Sequence, residues 1–198
     1  MKIRSSRFRF LRRDDGLSMI EFAVVMPVLL VIVLGVIEVG YALFDQHVIT
    51  KLTREGSNLI SRDTTLGDAA NILNRMSTRP VDFSSNSKVI FSVIMKVGTT
   101  GTSNYNQAIL YQRYSYGSGP GTSRLSTSGG SYGPGPEYTA LNPNNDTALR
   151  VSNLPSSVVV PLGGMVYVTE IFSRHTLITP FDRFGVTVPN TLYSIAYF

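Results

Sequence analysis

Residues 17–44 read LSMIEFAVVMPVLLVIVLGVIEVGYALF, and no ionisable side chain interrupts the run from Phe22 to Ile37. At 1.5 Å per residue a helix over these positions measures about 42 Å, more than the ~30 Å hydrocarbon core of a bilayer. The run therefore predicts a membrane-spanning helix. Lys2, Arg4, Arg7, Arg9, Arg12 and Arg13 precede it, whereas only Lys51 and Arg54 follow closely. The positive-inside bias then puts the amino terminus in the cytoplasm and residues 45–198 across the membrane. A removable secretory signal is the weaker reading, because such signals have a shorter apolar core and end at a small-x-small site. The nearest such site here is Gly40-Tyr41-Ala42.

Glu21 sits inside the span, where an ionised carboxylate costs about 2.5–3.5 kcal/mol unless it finds a partner. Gly16 stands just before the apolar run, five residues earlier. Cleavage between Gly16 and Leu17 would remove the basic leader and leave a new amine on Leu17. In a helical assembly that amine would pair with Glu21 of a neighbouring subunit, setting one buried charge against another and fixing axial register. Glycine at the cut position lets the chain leave helical geometry and enter a protease cleft. A carboxylate snorkelling to the cytoplasmic interface of a plain anchor is the competing reading of Glu21. Pro27 removes the backbone hydrogen bond to Ala23 and serves as a kink or a hinge. Glu38, near the outer interface, reads either as a water-exposed carboxylate or as a contact in an assembly.

The string Gly16-Leu17-Ser18-Met19-Ile20-Glu21-Phe22 resembles the type IV prepilin cleavage motif. The longer IEFAVVMPVLLVIVLGVIEVGY resembles the TadE-like family of pseudopilins from the tight-adherence (Flp) pilus, through Glu21-Phe22-Ala23, Pro27 and Glu38-Val39-Gly40. The resemblance covers residues 12–44. It implies a minor pilin or pseudopilin in a bacterial inner membrane, processed by a prepilin peptidase and needing no cofactor. Its implied partners are a second minor pilin, the major Flp-type pilin and the inner-membrane pilus assembly platform. Asp14 and Asp15 interrupt the basic leader just before the cut. A permanently anchored periplasmic binding domain, with Gly16 and Glu21 coincidental, is the alternative.

Composition closes several other routes. The 198 residues include no Cys, which excludes disulfides, thiolate nucleophiles and cysteine metal sites. Residues 1–16 hold six basic and two acidic side chains, so +4 of the formal +5 lies there and the remainder carries +1. Its basic residues are scattered singly, which argues against nucleic-acid binding. No phosphate-binding loop, zinc-protease motif or nucleophile elbow occurs, and the Gly-rich tract does not lead from a strand into a helix. His47 and His175 read as surface or interface residues, and the chain is expected not to be an enzyme. Asn142-Pro143-Asn144-Asn145-Asp146 reads as a turn and not as a calcium loop, since it lacks the Gly and distal Glu.

Beyond the membrane, Phe44, Val48, Leu52 and Leu59, with Ile49 and Ile60 alongside, extend the helix through residues 45–62 on a narrow apolar stripe. Thr65 with Asp68 forms a capping-box-like start for a second helix over Leu66–Met76, and Pro80 ends the helical part. Strands are expected over residues 88–98, 107–116, 164–174 and 191–198, the first with apolar Val89, Phe91, Val93, Met95 and Val97 alternating against Lys88, Ser92 and Lys96. The pattern predicts an α+β fold, a pilin-like long helix packed on a roughly four-stranded antiparallel sheet. Of residues 117–136, 17 of 20 are Gly, Ser, Thr or Pro, which predicts a flexible exposed loop. Tyr111, Tyr114, Tyr116, Tyr132 and Tyr138 in and around it offer a partner-binding tip as the alternative.

Overall fold

The computed structural model describes the backbone of residues 14–180 and 190–198, with side chains from residue 18 onward; residues 1–13 of the expected leader lie outside the described residues. The elements run α1 (Asp14–Ile60), α2 (Leu66–Met76), β1 (Ser87–Lys96), β2 (Ala108–Tyr116), a 3-10 turn (Thr147–Leu149), β3 (Met165–Arg174) and β4 (Thr191–Tyr197). The strands form one sheet in the order β2-β1-β3-β4, every pair antiparallel. This is the expected α+β arrangement of a long apolar helix and a four-stranded sheet. The chain divides into two compact units between Gly40 and Tyr41.

Within the second unit, the buried face of α1 comprises Ile49, Leu52, Thr53, Gly56, Ser57 and Ile60. This differs from the expected stripe: Phe44 is exposed, and Val48 and Leu59 are only partly buried. Hydropathy misplaces the stripe because its centre consists of small residues chosen for close approach. A Cβ at Gly56 would lie 2.8 Å from Thr169 Cγ2 and 3.0 Å from Leu73 Cδ1. The Ser57 hydroxyl donates to the carbonyl of Ala196 at 3.1 Å, and Thr53 donates back to the Ile49 carbonyl at 2.7 Å. The helix backbone at Gly56 thus lies directly against the side chains of Thr169 and Leu73.

Helix α2 starts as expected. The Thr65 side chain accepts from the Asp68 amide at 3.2 Å and donates to its carboxylate at 2.8 Å. Leu66, Ala69, Ala70 and Leu73 are buried, and with Ile49, Leu52, Val89, Phe91, Val93 and Ile171 they form the main core on the inner sheet face.

The outer sheet face departs from the expected polar surface. Ser92 and Ile94 of β1 are fully buried, because the Gly/Ser tract after β2 is laid across them. Gly119 N–H donates to the Ser87 carbonyl at 2.9 Å, and Leu125 joins Ile94, Val160, Val166 and Val168 in a second core. Gly121 packs on the Phe172 ring with φ +133°, a conformation and a proximity that a side chain would forbid. Residues 131–141 double back along β2, with Tyr132 bridging to Ala140 and Thr139 to Gln112. The edge of β2 is thereby covered, which removes a template for strand-to-strand aggregation. The five tyrosines offered as a partner-binding tip are all partly buried, and Tyr114 stacks on Tyr138 at 4.2 Å between ring centres.

Glu170 fastens this strap. It lies on the outer face of β3, fully buried, and accepts from the Ser123 hydroxyl, the Arg124 amide at 2.8 Å and the Tyr193 hydroxyl at 2.9 Å. A buried carboxylate with three donors is stable, whereas stripping a partner from a buried charge costs several kcal/mol. The turn at 142–146 is tied by Asn104, whose amide donates to the carbonyls of Pro143 at 2.9 Å and Asp146 at 2.8 Å, as turn chemistry requires.

Two predictions follow from this packing. Gly56→Leu should lower unfolding free energy by about 1–3 kcal/mol in chemical denaturation, because the Thr169 side chain is stiff and the gap is closed. Burial and then the Glu170 charge raise the Tyr193 phenol above its ordinary value of 10.0. The folded state therefore holds that proton more tightly than the unfolded chain, and the stabilisation, intact below pH 10, is lost as pH rises beyond it. Denaturant midpoints measured between pH 8 and pH 11.5 should fall less steeply in Tyr193→Phe than in the wild type.

Candidate functional site

All the residues singled out for assembly lie on the amino-terminal part of α1. Gly16 and Leu17 fall inside the helix, and the Leu17 side chain is outside the described residues. Leu17 and Glu21 are four residues apart, so they lie one turn apart on the same helix face. Glu21 is exposed and Phe22 is 62% exposed. Pro27 is accommodated without ending the helix, as its single missing N–H costs one hydrogen bond.

The surface around these residues is almost wholly apolar. Val24, Val25, Val28, Leu29, Leu30, Val31, Ile32 and Val33 all present about half or more of their surface. The best 18-residue window in Ser18–Ile60 has a mean hydropathy of 2.8 and no buried residue. Residues 18–40 alone reach about 35 Å, so the helix is long and apolar enough to cross a membrane. Apolar character on every side, without a polar face, belongs to helices surrounded by lipid or by other helices.

The structure does not bring the two acidic positions together: Glu21 and Glu38 are about 26 Å apart along the helix axis. Glu38 is 5% exposed and engaged in interactions, which corrects the reading of a water-exposed carboxylate. His47 is exposed, as expected. His175 is not a surface residue: it is 3% exposed, and its Nδ1 lies 2.6 Å from Asp45 Oδ2. The pair ties the residue after β3 to α1. It escaped sequence reasoning because a separation of 130 residues leaves no local pattern. Among the described residues, no three His, Asp or Glu side chains converge as a metal site would need.

Residues Ser92, Arg113, Ser123, Arg124, Glu170 and Tyr193 form a second polar group on the outer sheet face, also missed by sequence reasoning. Arg113 donates to Ser92 at 3.4 Å, to Ser123 at 2.8 Å and to the Leu125 carbonyl at 3.4 Å. Burial lowers its pKa, opposed by Tyr132 and Glu170. Arg124 stacks 3.8 Å above the Tyr193 ring. The available signal was Glu170 itself, a charge in the middle of the otherwise apolar strand VYVTEIF.

Helix and sheet together define an α+β domain preceded by an apolar helix of membrane-spanning length. Residues 16–58 match the family model described as TadE-like protein, the family that the opening motif resembles. The match starts at Gly16, includes Glu21, Phe22, Pro27 and Glu38, and ends at Asn58 within α1. A TadE-like segment suggests involvement with Tad pilus systems and association with pilus assembly machinery. No curated protein and no solved structure matches the chain.

Proposed function

We propose that this protein is a minor pilin or pseudopilin of a tight-adherence (Flp, type IV-like) pilus that serves adhesion or secretion, acting by assembly and not by turnover. It is inserted into the bacterial inner membrane with its basic amino terminus in the cytoplasm and its carboxy-terminal domain in the periplasm. A prepilin peptidase cuts between Gly16 and Leu17. The released amine and Glu21 then meet between neighbouring subunits, and the stem packs beside a second minor pilin and the major Flp-type pilin on the assembly platform.

The observation carrying this reading is the coincidence on one helix of three features: the TadE-like match from Gly16, an apolar surface that nothing in its own segment covers, and a carboxylate one turn beyond Leu17. A plain anchor has no use for the carboxylate. In an assembly the same carboxylate both lowers the cost of two charges in a low-dielectric setting and sets subunit stagger.

Glu21→Ala should leave membrane insertion intact, since it makes the helix more apolar, yet reduce recovery of the protein in a sheared pilus fraction at least tenfold. Recovery equal to wild type would remove the role assigned to Glu21. Because the chain has no Cys, single-cysteine variants at Ser5 and Ser128, expressed without a prepilin peptidase so that the leader stays attached, report topology cleanly. An impermeant maleimide applied to spheroplasts should label Ser128→Cys and spare Ser5→Cys.

A further inference from the structure

We infer that the cleft between the outer face of β1 and β2 and the Gly/Ser strap is a binding site for an acidic saccharide. The cleft is an open hollow of about 480 Å³, lined by Lys88, Ile90, Arg113, Tyr114 and Ser115 on the sheet and by Gly121, Thr122 and Ser123 of the strap. A volume of that order accepts a small organic ligand and exceeds what a single inorganic anion needs.

The register explains why the cations meet there. Ser92 faces Arg113, and Ile90 faces Ser115 across the β1–β2 pair, so Lys88, Ile90, Ser92, Arg113 and Ser115 share one sheet face. The strap then crosses over them and leaves donors unspent. The Lys88 ammonium has three N–H groups and makes one bond, to the Gly121 carbonyl at 3.3 Å. Arg113 uses Nε and Nη2 on Ser92, Ser123 and Leu125, and its Nη1 has no acceptor among the described residues. That nitrogen is not sealed from solvent, since the buried unpaired side-chain atoms are confined to Tyr132 and Thr169.

Charge points the same way. The carboxylate nearest the cleft, Glu170, is already taken by three donors beneath the strap. Lys88 and Arg113 line the cleft and no carboxylate does, so its walls are net positive, and no ion pair within 4 Å neutralises Lys88 or Arg113 among the described residues. An oxyanion is what a guanidinium with an open Nη1 and an ammonium recognise. The Ser115 and Thr122 hydroxyls make no hydrogen bond among the described residues and add neutral donors and acceptors. Ile90 is the one aliphatic side chain in the lining. A carboxylate or sulfate carried on a polyhydroxylated body fits these walls, and an apolar ligand does not. This inference goes beyond the pilus reading and stands on the carboxy-terminal unit alone, so its failure would leave the reading of residues 16–58 untouched.

The test is calorimetric titration of the full chain in nonionic detergent with a galacturonate oligosaccharide. The same oligosaccharide fully methyl-esterified, inorganic sulfate and a glutamate peptide serve as comparators. Binding of the acidic oligosaccharide is expected to weaken with added salt and to exceed each comparator at least tenfold. Lys88→Gln should weaken it at least tenfold with an unchanged unfolding midpoint. Arg113→Lys, which keeps the charge and loses the open Nη1, should weaken it as well. Equal binding of the methyl ester, of sulfate or of the glutamate peptide overturns the assignment, as does undiminished binding in Lys88→Gln or no binding of the oligosaccharide at all.

Discussion

An apolar helix surface that its own segment does not cover is the constraint to which the rest of this molecule answers. From Phe22 to Ile37 the helix carries no charge and exposes its Val, Leu and Ile side chains on all sides. Each such side chain, if left in water, forfeits about 1.5–3 kcal/mol relative to burial. Such a surface suits a helix surrounded by lipid or by other helices, and this one is long and apolar enough to cross a membrane. Glu21 is the costly exception, and a cost that large is best met by a second charge at a defined axial position. Under the proposed function, a free amine one turn earlier, on another copy or a related subunit, would supply that charge.

The second unit is built from two layers that use different chemistry. On the inner face, α1 approaches through Gly56, Ser57 and Thr53, and α2 fills the remainder with Leu66, Ala69, Ala70 and Leu73. On the outer face a strap with few apolar groups does the covering. It holds because Glu170 offers one buried carboxylate to three donors, and because Leu125 reaches the core beside Ile94 and Val168. The strap is glycine-rich so that its backbone can lie close against Ser87 and Phe172. Between it and the sheet, Lys88 and Arg113 retain donors that have no acceptor among the described residues.

Much of this was legible in the chain. Alternation along residues 88–97 and the three later β-rich runs located all four strands, and Thr65 with Asp68 located α2. The motif from Gly16 to Phe22 located the segment that matches the TadE-like family. What escaped was long-range. Thr53, Gly56 and Ser57 carry no hydropathy, so the true packing face of α1 was displaced toward Phe44. The strap read as an unattached loop because its attachments are hydrogen bonds to residues far away in sequence, which composition does not encode. His175 and Asp45, separated by 130 positions, belong to the same class.

The covalent state of the amino terminus bears most directly on the role of the stem. Intact mass and amino-terminal sequencing of the protein recovered from membranes after co-expression with an active prepilin peptidase should give a chain that starts at Leu17. The same measurement on Gly16→Ala should return the uncut chain. A wild-type chain that still begins at Met1, beside a peptidase shown to be active on another substrate, would contradict processing and with it the pilin mechanism. A start near Leu43 would contradict it equally, by marking the apolar run as a removable signal.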